Sequence, residues 1–490
     1  MTASNIRVRV APSPTGDPHI GTIYTALFNY LMAKNMGGKF ILRIEDTDSK
    51  RSTRESEDAV LKSLKWCGLN WDEGPDIGGE YGPYRQSERK EIYEPYVTSI
   101  LEKGHAFHCF CSPERLDEMR QSQRKNNLPS KYDGHCLKLS AQEISQFIQS
   151  NKPYVVRMKI PDKGSCKFKD RVYGDMEIPW NSVDMQVLLK SDGMPTYHLA
   201  NVVDDHLMKI THVARGEEWV SSVPKHILIY KYLGISPPEF IHLPLMKNPD
   251  KSKLSKRRNP TSIPYYSSAG YLPEALINFL GLFFIQAFQG DELMEIQELI
   301  QKFSLQNLPK SGAVFDRQKL DWLNGRWIRE KLSSEQFISR VSQWAMENNR
   351  LVGALKLAQS RISHLGSLPQ IADFLFKSEI DLTESSFKNL PLNLEEILKM
   401  LKKTQEEFEN IQIWKRENIE IASRNIAQHF GKSLKIIVVP LFLSMTGSRH
   451  SLPLFDSMEI LGRSVVHFRL RQAIKKFSSL IKDSGKEGKK

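Results

Sequence analysis

The first hundred residues alternate between short apolar runs and longer segments with one apolar face. Residues 7–10, Arg-Val-Arg-Val, alternate like a strand that enters a buried sheet. The apolar positions that follow recur at the spacing of one helical face: Ile23, Ala26, Leu27, Tyr30 and Leu31. Gly37-Gly38 ends this helix, and residues 40–44 predict the next buried strand. The strand–helix–strand order predicts a parallel, doubly wound sheet in an α/β protein.

The pattern changes twice further along the chain. Residues 110–185 are short, basic and cysteine-containing segments with one strand at 155–160, and they predict an insertion between two halves of the sheet. The parallel pattern is expected to resume with residues 186–189, a helix around 227–230 and a strand at 240–246. From about residue 265 onward, helical periodicity replaces the strand signal. The predicted domains are 1–110 and 186–260 (the two halves of the sheet), 111–185 (inserted), 261–330 (helical) and 331–490 (helical).

Composition narrows the class of protein. A chain of 490 residues with 40% hydrophobic and 26% charged residues is typical of a globular protein with several domains. The sequence has no apolar run of about 18 residues and no secretory pattern at its start, so we expect no membrane span. Five cysteines do not make a disulfide framework, and they favour the reducing cytoplasm. The net charge of +12 indicates a polyanionic partner such as a nucleic acid, although many basic proteins bind none.

The loop between the first strand and the first helix is the most informative segment. Residues 9–22, Arg-Val-Ala-Pro-Ser-Pro-Thr-Gly-Asp-Pro-His-Ile-Gly-Thr, combine stiff prolines with two glycines that let a ligand approach the backbone. A strand–loop–helix junction of this kind directs backbone N–H groups toward an anion, typically a phosphate. Such junctions are common, so the geometry alone leaves the function open.

A second basic loop follows the predicted strand at 240–246. Residues 253–257, Lys-Leu-Ser-Lys-Arg, are either a solvated turn or a second phosphate-binding element at the carboxyl edge of the sheet. Two such elements facing one crevice would favour a nucleoside triphosphate. The Gly431-Lys432-Ser433 sequence lacks the earlier glycine of a P-loop because Ile426 stands there, and no G-x-G-x-x-G or H-E-x-x-H pattern is intact. A dehydrogenase, a P-loop NTPase and a zinc peptidase are therefore disfavoured.

Charged and polar side chains follow three of the predicted strands. Arg9 and Glu45 end adjacent strands, and Tyr197, Asn201 and Arg215 come after a third. One interpretation is a structural bridge between the buried arginine and glutamate. The other is a pocket in which two guanidinium groups hold the carboxylates of an acidic amino acid and Glu45 receives its ammonium. In that pocket Ser13, Tyr197 and Asn201 would supply neutral hydrogen bonds.

Five segments, in order, resemble those of one enzyme family. Residues 9–22 are similar to the "HIGH" loop and residues 253–257 to the "KMSKS" loop of class I aminoacyl-tRNA synthetases. Residues 43–48 (Arg-Ile-Glu-Asp-Thr-Asp), 191–201 and 215–219 resemble segments of the bacterial glutamyl-tRNA synthetases. The resemblance extends to about residue 330 and is thin beyond it. It implies a Rossmann-like catalytic domain with an inserted acceptor-binding domain, a helical stem-contact domain and an all-α anticodon-binding half.

The resemblance also implies a reaction and its residues. Glutamate would be activated with ATP and Mg²⁺ to glutamyl-adenylate, in a step that requires bound tRNA, and passed to the 3′ end of tRNA(Glu). It leaves open whether tRNA(Gln) is also charged, and it implies a monomer. The implied catalytic residues are His19, Gly21, Lys253 and Lys256. The implied ATP-binding residues are Pro12, Thr15, Gly16, His19, Gly21, Thr22, Ser255 and Lys256. The implied glutamate-binding residues are Arg9, Ala11, Ser13, Glu45, Tyr197, Asn201 and Arg215.

Two features of the family are less well matched. Some bacterial members bind zinc through C-x-C and C-x-H pairs, which would correspond to Cys109, Cys111 and Cys136 here, but Lys138 stands where the fourth ligand is expected. His108 or His135 could replace it, and three ordinary reduced cysteines are the alternative. Arg361 aligns thinly with an arginine that reads the anticodon in some relatives, and a solvated helix arginine is the alternative there.

Three other functions are compatible with parts of the sequence. A relative that attaches glutamate to a tRNA base shares the catalytic half but is short, so the 490-residue length disfavours it. An RNA-binding protein on an inactive synthetase fold would have no use for an intact ATP-binding set. A nucleotidyltransferase that acts on a small molecule would leave the long basic helical half unexplained.

Overall fold

In a computed structural model, the described residues are 6–48, 51–252, 254, 260–285, 290–306, 308, 310–347, 350–377, 379–382, 390–448 and 451–487. They form two compact units. The first holds Met1–Lys253 and Ile277–Asp316, and the second holds Leu254–Leu276 and Arg317–Lys490. The five-part division above is finer than these units and stays a prediction.

All the strands found in the described residues lie in the first unit. They are β1 (Arg7–Val10), β2 (Lys39–Leu42), β3 (Ala106–Cys109), β4 (Val155–Met158), β5 (Ser165–Asp170), β6 (Gly174–Pro179), β7 (Val187–Leu189), β8 (His212–Gly216) and β9 (Glu239–Leu243).

The α-helices, in chain order, are α1 (Ile20–Asn35), α2 (Arg54–Trp66), α3 (Lys90–Glu102), α4 (Pro113–Lys125), α5 (Ala141–Gln149), α6 (Tyr197–Leu207), α7 (Val223–Leu233), α8 (Ile263–Ser268), α9 (Pro273–Gly281), α10 (Ile296–Lys302), α11 (Arg317–Glu330), α12 (Ser334–Met346), α13 (Arg350–Ala358), α14 (Leu368–Ala372), α15 (Leu394–Glu409), α16 (Arg416–His429), α17 (Leu434–Thr446), α18 (Leu454–Leu461) and α19 (Arg463–Glu487).

The predicted parallel sheet is confirmed. β1 pairs with β2 in parallel, and β8 pairs with β9 in parallel. The two pairs are neighbours, because the Thr211 backbone N–H just before β8 donates to the Arg7 carbonyl of β1 at 2.9 Å. Helices α6 and α7 bury apolar faces against this sheet, with Leu199, Val203 and Ile229 fully buried. The carboxyl ends of the four strands therefore share one edge, where ligands of open α/β sheets bind.

The inserted segment follows a different pairing rule. β3, β4 and β7 form an antiparallel sheet, so the expectation that residues 186–189 resume the parallel sheet is wrong. Parallel neighbours require a crossover, usually a helix, whereas the chain between β4 and β7 forms the β5–β6 hairpin. β5 then pairs with β9 in parallel and extends the main sheet.

The strand predicted at 240–246 ends earlier, at Leu243. Pro244 follows it, and proline has no N–H to continue a ladder.

The second unit is helical throughout its described residues, as predicted. α15 buries Ile397, Met400, Leu401 and Phe408, which recur along one face. Within the described ranges, no single helix is long and apolar enough to cross a membrane; the bent pair Arg416–His429 and Leu434–Thr446 passes only by length and composition.

Candidate active site and thiol cluster

The loop after β1 has the predicted strand–loop–helix form. Gly16 has φ of +144°, which favours glycine. His19 caps α1, since its Nδ1 accepts the Gly21 backbone N–H at 3.1 Å. In the neutral ring the proton is therefore on Nε2. The first turn of α1 carries no acidic side chain, so no carboxylate of its own offsets the positive end of the helix.

The space beside Gly21 is open. A side-chain carbon built on Gly21 would meet only the His19 Nδ1 atom, at 3.4 Å, which is an ordinary contact. Packing within the protein therefore does not require glycine here. Of the other candidate ATP- and glutamate-binding residues on this loop, Ser13 and Thr15 are exposed, while Ala11, Pro12, Gly16 and Thr22 are half-buried.

The second basic loop is only partly described. Lys253, Ser255 and Lys256 lie outside the described residues. Leu254 between them is buried. Just before the loop, a turn is held by the Asn248 amide donating to the Ser252 hydroxyl at 2.9 Å.

Arg9 does not present an open guanidinium fork. Its Nε and Nη2 donate to the two carboxylate oxygens of Asp205 on α6, at 3.0 and 3.1 Å. Arg43, which is fully buried, also donates to Asp205 at 2.7 Å. Although burial works against the ionised form, these two arginines hold the pKa of Asp205 below its usual value.

Glu45 pairs with Arg43 and not with Arg9. Its Oε1 accepts from Arg43 Nη2 at 3.1 Å and from the Asn201 amide at 3.0 Å. The predicted structural bridge between Arg9 and Glu45 is therefore wrong in its partners: Glu45 pairs with Arg43, and Arg9 pairs with Asp205. Burial raises the pKa of Glu45, with Arg43 and Arg9 opposing the shift.

Arg215 ends β8 with a guanidinium that is almost fully buried. Its Nε donates to His242 Nε2 at 3.1 Å. Its Nη1 donates to the Tyr197 hydroxyl at 3.1 Å and lies 3.3 Å from His226 Nδ1. Its Nη2 donates to the Trp219 carbonyl at 3.3 Å. All four acceptors are neutral, and no carboxylate contacts Arg215 among the residues that the structure describes.

Five of the seven predicted glutamate-binding residues thus lie close together: Arg9, Glu45, Tyr197, Asn201 and Arg215. Burial raises the pKa of the Tyr197 hydroxyl; the Glu45 charge acts in the same direction, and the Arg215 charge opposes it. Asn201, one turn further along α6, contacts Glu45. The site therefore contains the buried guanidinium of Arg215 next to Tyr197 and the buried carboxylate of Glu45 next to Asn201.

Sequence reasoning missed four residues of this network. Asp205, Arg43, His226 and His242 are all buried and contact a predicted site residue or its direct partner. The available signal was a charged or titratable residue inside an apolar run, as in residues 201–207, Asn-Val-Val-Asp-Asp-His-Leu.

The three cysteines predicted as metal ligands lie together. The Sγ atoms of Cys109, Cys111 and Cys136 are all within 4.8 Å of one another. Neither His108 nor His135 belongs to this cluster; the His108 ring packs against Phe110 and Tyr154 instead.

Tyr132 supplies the oxygen that the sequence pattern did not reveal. Its hydroxyl lies 3.4 Å from the Sγ atoms of both Cys109 and Cys111, and it accepts the Cys136 backbone N–H at 2.9 Å. Arg157 donates to Cys109 Sγ at 3.3 Å. Burial opposes ionisation of Cys109, but the Tyr132 and Arg157 contacts lower the pKa of its thiol. Three clustered thiols with one oxygen fit a tetrahedral structural zinc site, whose sulfurs lie about 3.8 Å apart.

The remaining candidate, Arg361, follows α13 on the exposed surface. Its guanidinium reaches the Ser451 carbonyl at 3.5 Å, a long contact.

Family models match both parts of the chain. The model described as "tRNA synthetases class I (E and Q), catalytic domain" matches residues 5–322, and the model described as "Anticodon binding domain" matches residues 336–474. The fold is that of a class I tRNA synthetase.

Full-length relatives define the family more narrowly. A protein named glutamate–tRNA ligase from Rhizobium meliloti is 63% identical over 486 residues, which cover 99% of this chain and 100% of that protein. A solved glutamate–tRNA ligase from Elizabethkingia meningosepticum, in complex with its amino acid, is 34% identical with a TM-score of 0.67, and the match covers 96% of this chain and 99% of that one. The chain belongs to the glutamate–tRNA ligase family.

Proposed function

We propose that this protein is a glutamate–tRNA ligase that activates L-glutamate with ATP and transfers it to the 3′ end of tRNA(Glu). The observation that carries this proposal is Arg215, a buried guanidinium whose four acceptors in the described part of the chain are all neutral. A buried charge without a counter-ion is costly, so the pocket favours a ligand that brings a carboxylate. Full-length similarity to enzymes of this name supports the same conclusion.

In the activation step the α-carboxylate of glutamate attacks the α-phosphorus of ATP. A bond forms between a carboxylate oxygen and the α-phosphorus. The bond from the α-phosphorus to the oxygen that bridges the α- and β-phosphates breaks, and pyrophosphate leaves. The terminal hydroxyl of tRNA then attacks the acyl carbon and AMP leaves. No protein nucleophile is needed, so the protein acts by positioning and by stabilising charge.

The glutamate pocket supplies an opposite charge for the side-chain carboxylate and another for the ammonium of the substrate. Arg215 binds the side-chain carboxylate, and Glu45 receives the ammonium. Asn201 holds Glu45 in place, since it donates to the same carboxylate. Tyr197 lines the pocket between them, with Ala11 and Ser13 on the loop after β1.

Arg9 contributes less directly than the sequence implied. Its Nε and Nη2 are committed to Asp205, so only Nη1 is left to reach a substrate carboxylate. We therefore assign Arg9 mainly to holding Asp205 and α6 against β1, and secondarily to the substrate.

The ATP site is assigned to the two loops. The Nε2–H of His19 donates to a phosphate oxygen, and the open space beside Gly21 admits the nucleotide. Pro12, Thr15, Gly16 and Thr22 line the same loop. Lys253, Ser255 and Lys256 stabilise the departing pyrophosphate, together with Mg²⁺ brought by ATP, which supplies charge neutralisation at the phosphates.

The thiol cluster is assigned to structural zinc. Cys109, Cys111 and Cys136 would hold the ion, with the Tyr132 hydroxyl as the oxygen beside them. Zinc there would tie β3 to the segment around Cys136 and would take no part in the reaction.

Binding of tRNA is assigned to the positive charge and the helical half. The net charge of +12 fits a partner whose phosphates attract lysine and arginine. Arg361 stays a candidate for anticodon contact. The five-part domain division, the tRNA requirement for activation, the monomeric state and the cytoplasmic location also stay predictions; the last is supported by all five cysteines being free thiols.

The rival functions make different predictions. A short tRNA-base-modifying relative is disfavoured because the match to the curated ligases spans their whole length. An inactive RNA-binding protein would lack ATP–pyrophosphate exchange altogether.

The test is ATP–pyrophosphate exchange with glutamate or glutamine, with and without tRNA(Glu) or tRNA(Gln), followed by aminoacylation of each tRNA. Exchange that depends on glutamate and tRNA, and stable glutamyl-tRNA(Glu), are expected. Stable glutamine attachment, or no aminoacylation, would overturn the proposal. Charging of tRNA(Gln) with glutamate decides the one specificity that the sequence left open.

A further inference from the structure

Behind Arg215 lies a chain of buried side chains that the proposed reaction does not use. His242 on β9 is fully buried and stands between Arg215 and Asp170 at the end of β5. Its Nε2 lies 3.1 Å from Arg215 Nε, and its Nδ1 lies 2.7 Å from Asp170 Oδ2.

The donors and acceptors of this chain allow one arrangement. Arg215 Nε can only donate, so His242 Nε2 must accept and cannot carry a proton. The ring proton is then on Nδ1, where it is donated to the Asp170 carboxylate. Burial lowers the pKa of His242, with Arg215 acting in the same direction and Asp170 opposing it, so the ring is neutral at physiological pH.

The other side of the guanidinium is arranged in the same way. Arg215 Nη1 donates to His226 Nδ1, so the His226 proton is on Nε2 and points to His198 Nδ1, 3.1 Å away. Burial and Arg215 lower the pKa of His226, and burial, Lys225 and Arg215 lower that of His198 to about 3. His226, like His242, is therefore a neutral acceptor that leaves the charge of Arg215 unbalanced.

We propose that His242 and Asp170 are positioning residues for recognition of the substrate side-chain carboxylate. Asp170 fixes the His242 tautomer, and His242 in turn anchors Arg215 Nε. Nε donates to His242, and Nη1 donates to Tyr197 and His226, so the guanidinium is held in one orientation. Among the described residues Nη2 donates only to the Trp219 carbonyl, and its second N–H is the donor that the substrate carboxylate would take. Asp170 does not neutralise Arg215 directly, because the His242 imidazole lies between the two groups. This inference rests on the proposed glutamate pocket and adds the device that orients it.

The test uses three substitutions of His242 in the full-length protein. His242→Phe fills the space but removes the acceptor, and His242→Asn can keep the bond to Asp170 but is too short to serve Arg215. His242→Gln can place an oxygen near the former Nε2. For the first two we expect the KM for glutamate to rise about 10-fold or more, with kcat and the KM values for ATP and tRNA near wild type. The variant His242→Gln should recover most of the affinity for glutamate.

A second readout separates positioning from a loosened fold. Glutamine, which is neutral, serves as a competitive inhibitor of glutamate charging. Loss of charge recognition should weaken glutamate binding more than glutamine binding, whereas a distorted pocket weakens both equally. Asp170→Asn should shift the same ratio, because it removes the carboxylate charge that favours the proton on His242 Nδ1.

The control is His212→Gln, since His212 is a buried histidine on the same strand as Arg215 but contacts Thr211 and Glu239. We expect its kinetics to match wild type. If wild type fails to charge glutamate, the proposed function itself is wrong. If wild type charges glutamate but His242→Phe leaves the KM for glutamate and the glutamate-to-glutamine ratio unchanged in a folded protein, the positioning role is wrong.

Discussion

Arg9 and Asp205 are 196 positions apart in sequence and form a bidentate ion pair between β1 and α6, at 3.0 and 3.1 Å. Both side chains are almost fully buried. Asp205 also accepts from Arg43, so two guanidinium groups share this carboxylate, although Arg43 pairs with Glu45 as well. The pairing joins the strand before the proposed ATP-binding loop to the helix that carries Tyr197 and Asn201 of the proposed glutamate pocket.

Because Asp205 is shared, its substitution should lower the free energy of unfolding more than substitution of Arg9. Asp205→Asn leaves both arginines buried without their common counter-ion and should lower the free energy of unfolding by about 3–5 kcal/mol. Arg9→Gln leaves Asp205 paired with Arg43 and should cost less. Urea unfolding of the full-length protein measures both. The exposed Arg171→Gln, which loses a surface pair with Glu239, should stay within about 1 kcal/mol of wild type. Equal losses for the two buried substitutions would contradict the shared-carboxylate account.

Arg215 should control glutamate affinity. Arg215→Ala removes the charge and its donors, so the KM for glutamate should rise about 100-fold, the size expected when charged hydrogen bonds worth about 3 kcal/mol are lost. Steady-state aminoacylation with varied glutamate, and separately varied ATP, measures the effect. The KM for ATP should be unchanged, and Arg171→Ala serves as the matched arginine control. Unaltered glutamate kinetics would remove Arg215 from the site.

The sequence predicted what depends on neighbouring residues. The strand before Pro12, the glycines at 16 and 21 and the helix from Ile20 follow from local patterns, and the structure has them there. It also predicted which strand ends meet, because a parallel sheet brings its carboxyl edges together.

What it could not predict is which charges pair across the sheet. Nothing near Arg9 in sequence indicates that Asp205, and not Glu45, takes its guanidinium, since the choice depends on how α6 packs on β1. The antiparallel β7 and the position of Tyr132 beside three thiols depend likewise on tertiary pairing.

Glu73 should make stability depend on acid pH. Burial disfavours its charge, but hydrogen bonds from Arg7, Tyr84 and Lys39 outweigh that effect and lower its pKa to about 2. A lowered carboxyl pKa stabilises the fold fully above the usual value of 4.5, and this contribution is lost as pH falls toward 2.

The variant Glu73→Gln removes that contribution. We expect it to be less stable than wild type by about 3 kcal/mol at neutral pH, with a constant difference down to about pH 5 and a shrinking one below about 4.5. Urea midpoints across this pH range measure it. The exposed Glu177→Gln should show neither effect. A difference that already changes between pH 8 and 6 would mean that another group is responsible.

Zinc content tests the thiol cluster. Untagged protein should carry about one zinc per chain, since three thiols and an oxygen fit a closed tetrahedral site. Cys111→Ser should lose most of the metal and lower the melting temperature. Cys166→Ser is the matched control, because Cys166 is a buried thiol outside the cluster. Elemental analysis after dialysis measures both, and metal-free protein with its cysteines intact would contradict the assignment.

His19 joins two roles that substitution can separate. Its Nδ1 caps α1, and its Nε2–H is the atom assigned to the ATP phosphate. His19→Asn keeps a good capping side chain but lacks the distal N–H, while His19→Ala loses both. Both should lower kcat in ATP–pyrophosphate exchange by about 100-fold, the size typical of a lost donor to developing charge. Only His19→Ala should also lose about 1 kcal/mol of stability.

The control for the capping role is Ser140→Ala, which removes the capping box of α5 and should cost similar stability with full activity. If His19→Asn retained wild-type exchange, then capping alone would explain this histidine, and the phosphate contact would have to come from the backbone N–H groups at the start of α1. If His19→Asn loses exchange activity but keeps the wild-type melting temperature, the result supports a catalytic role for Nε2. Stability would then depend on Nδ1 and activity on Nε2 of the same ring.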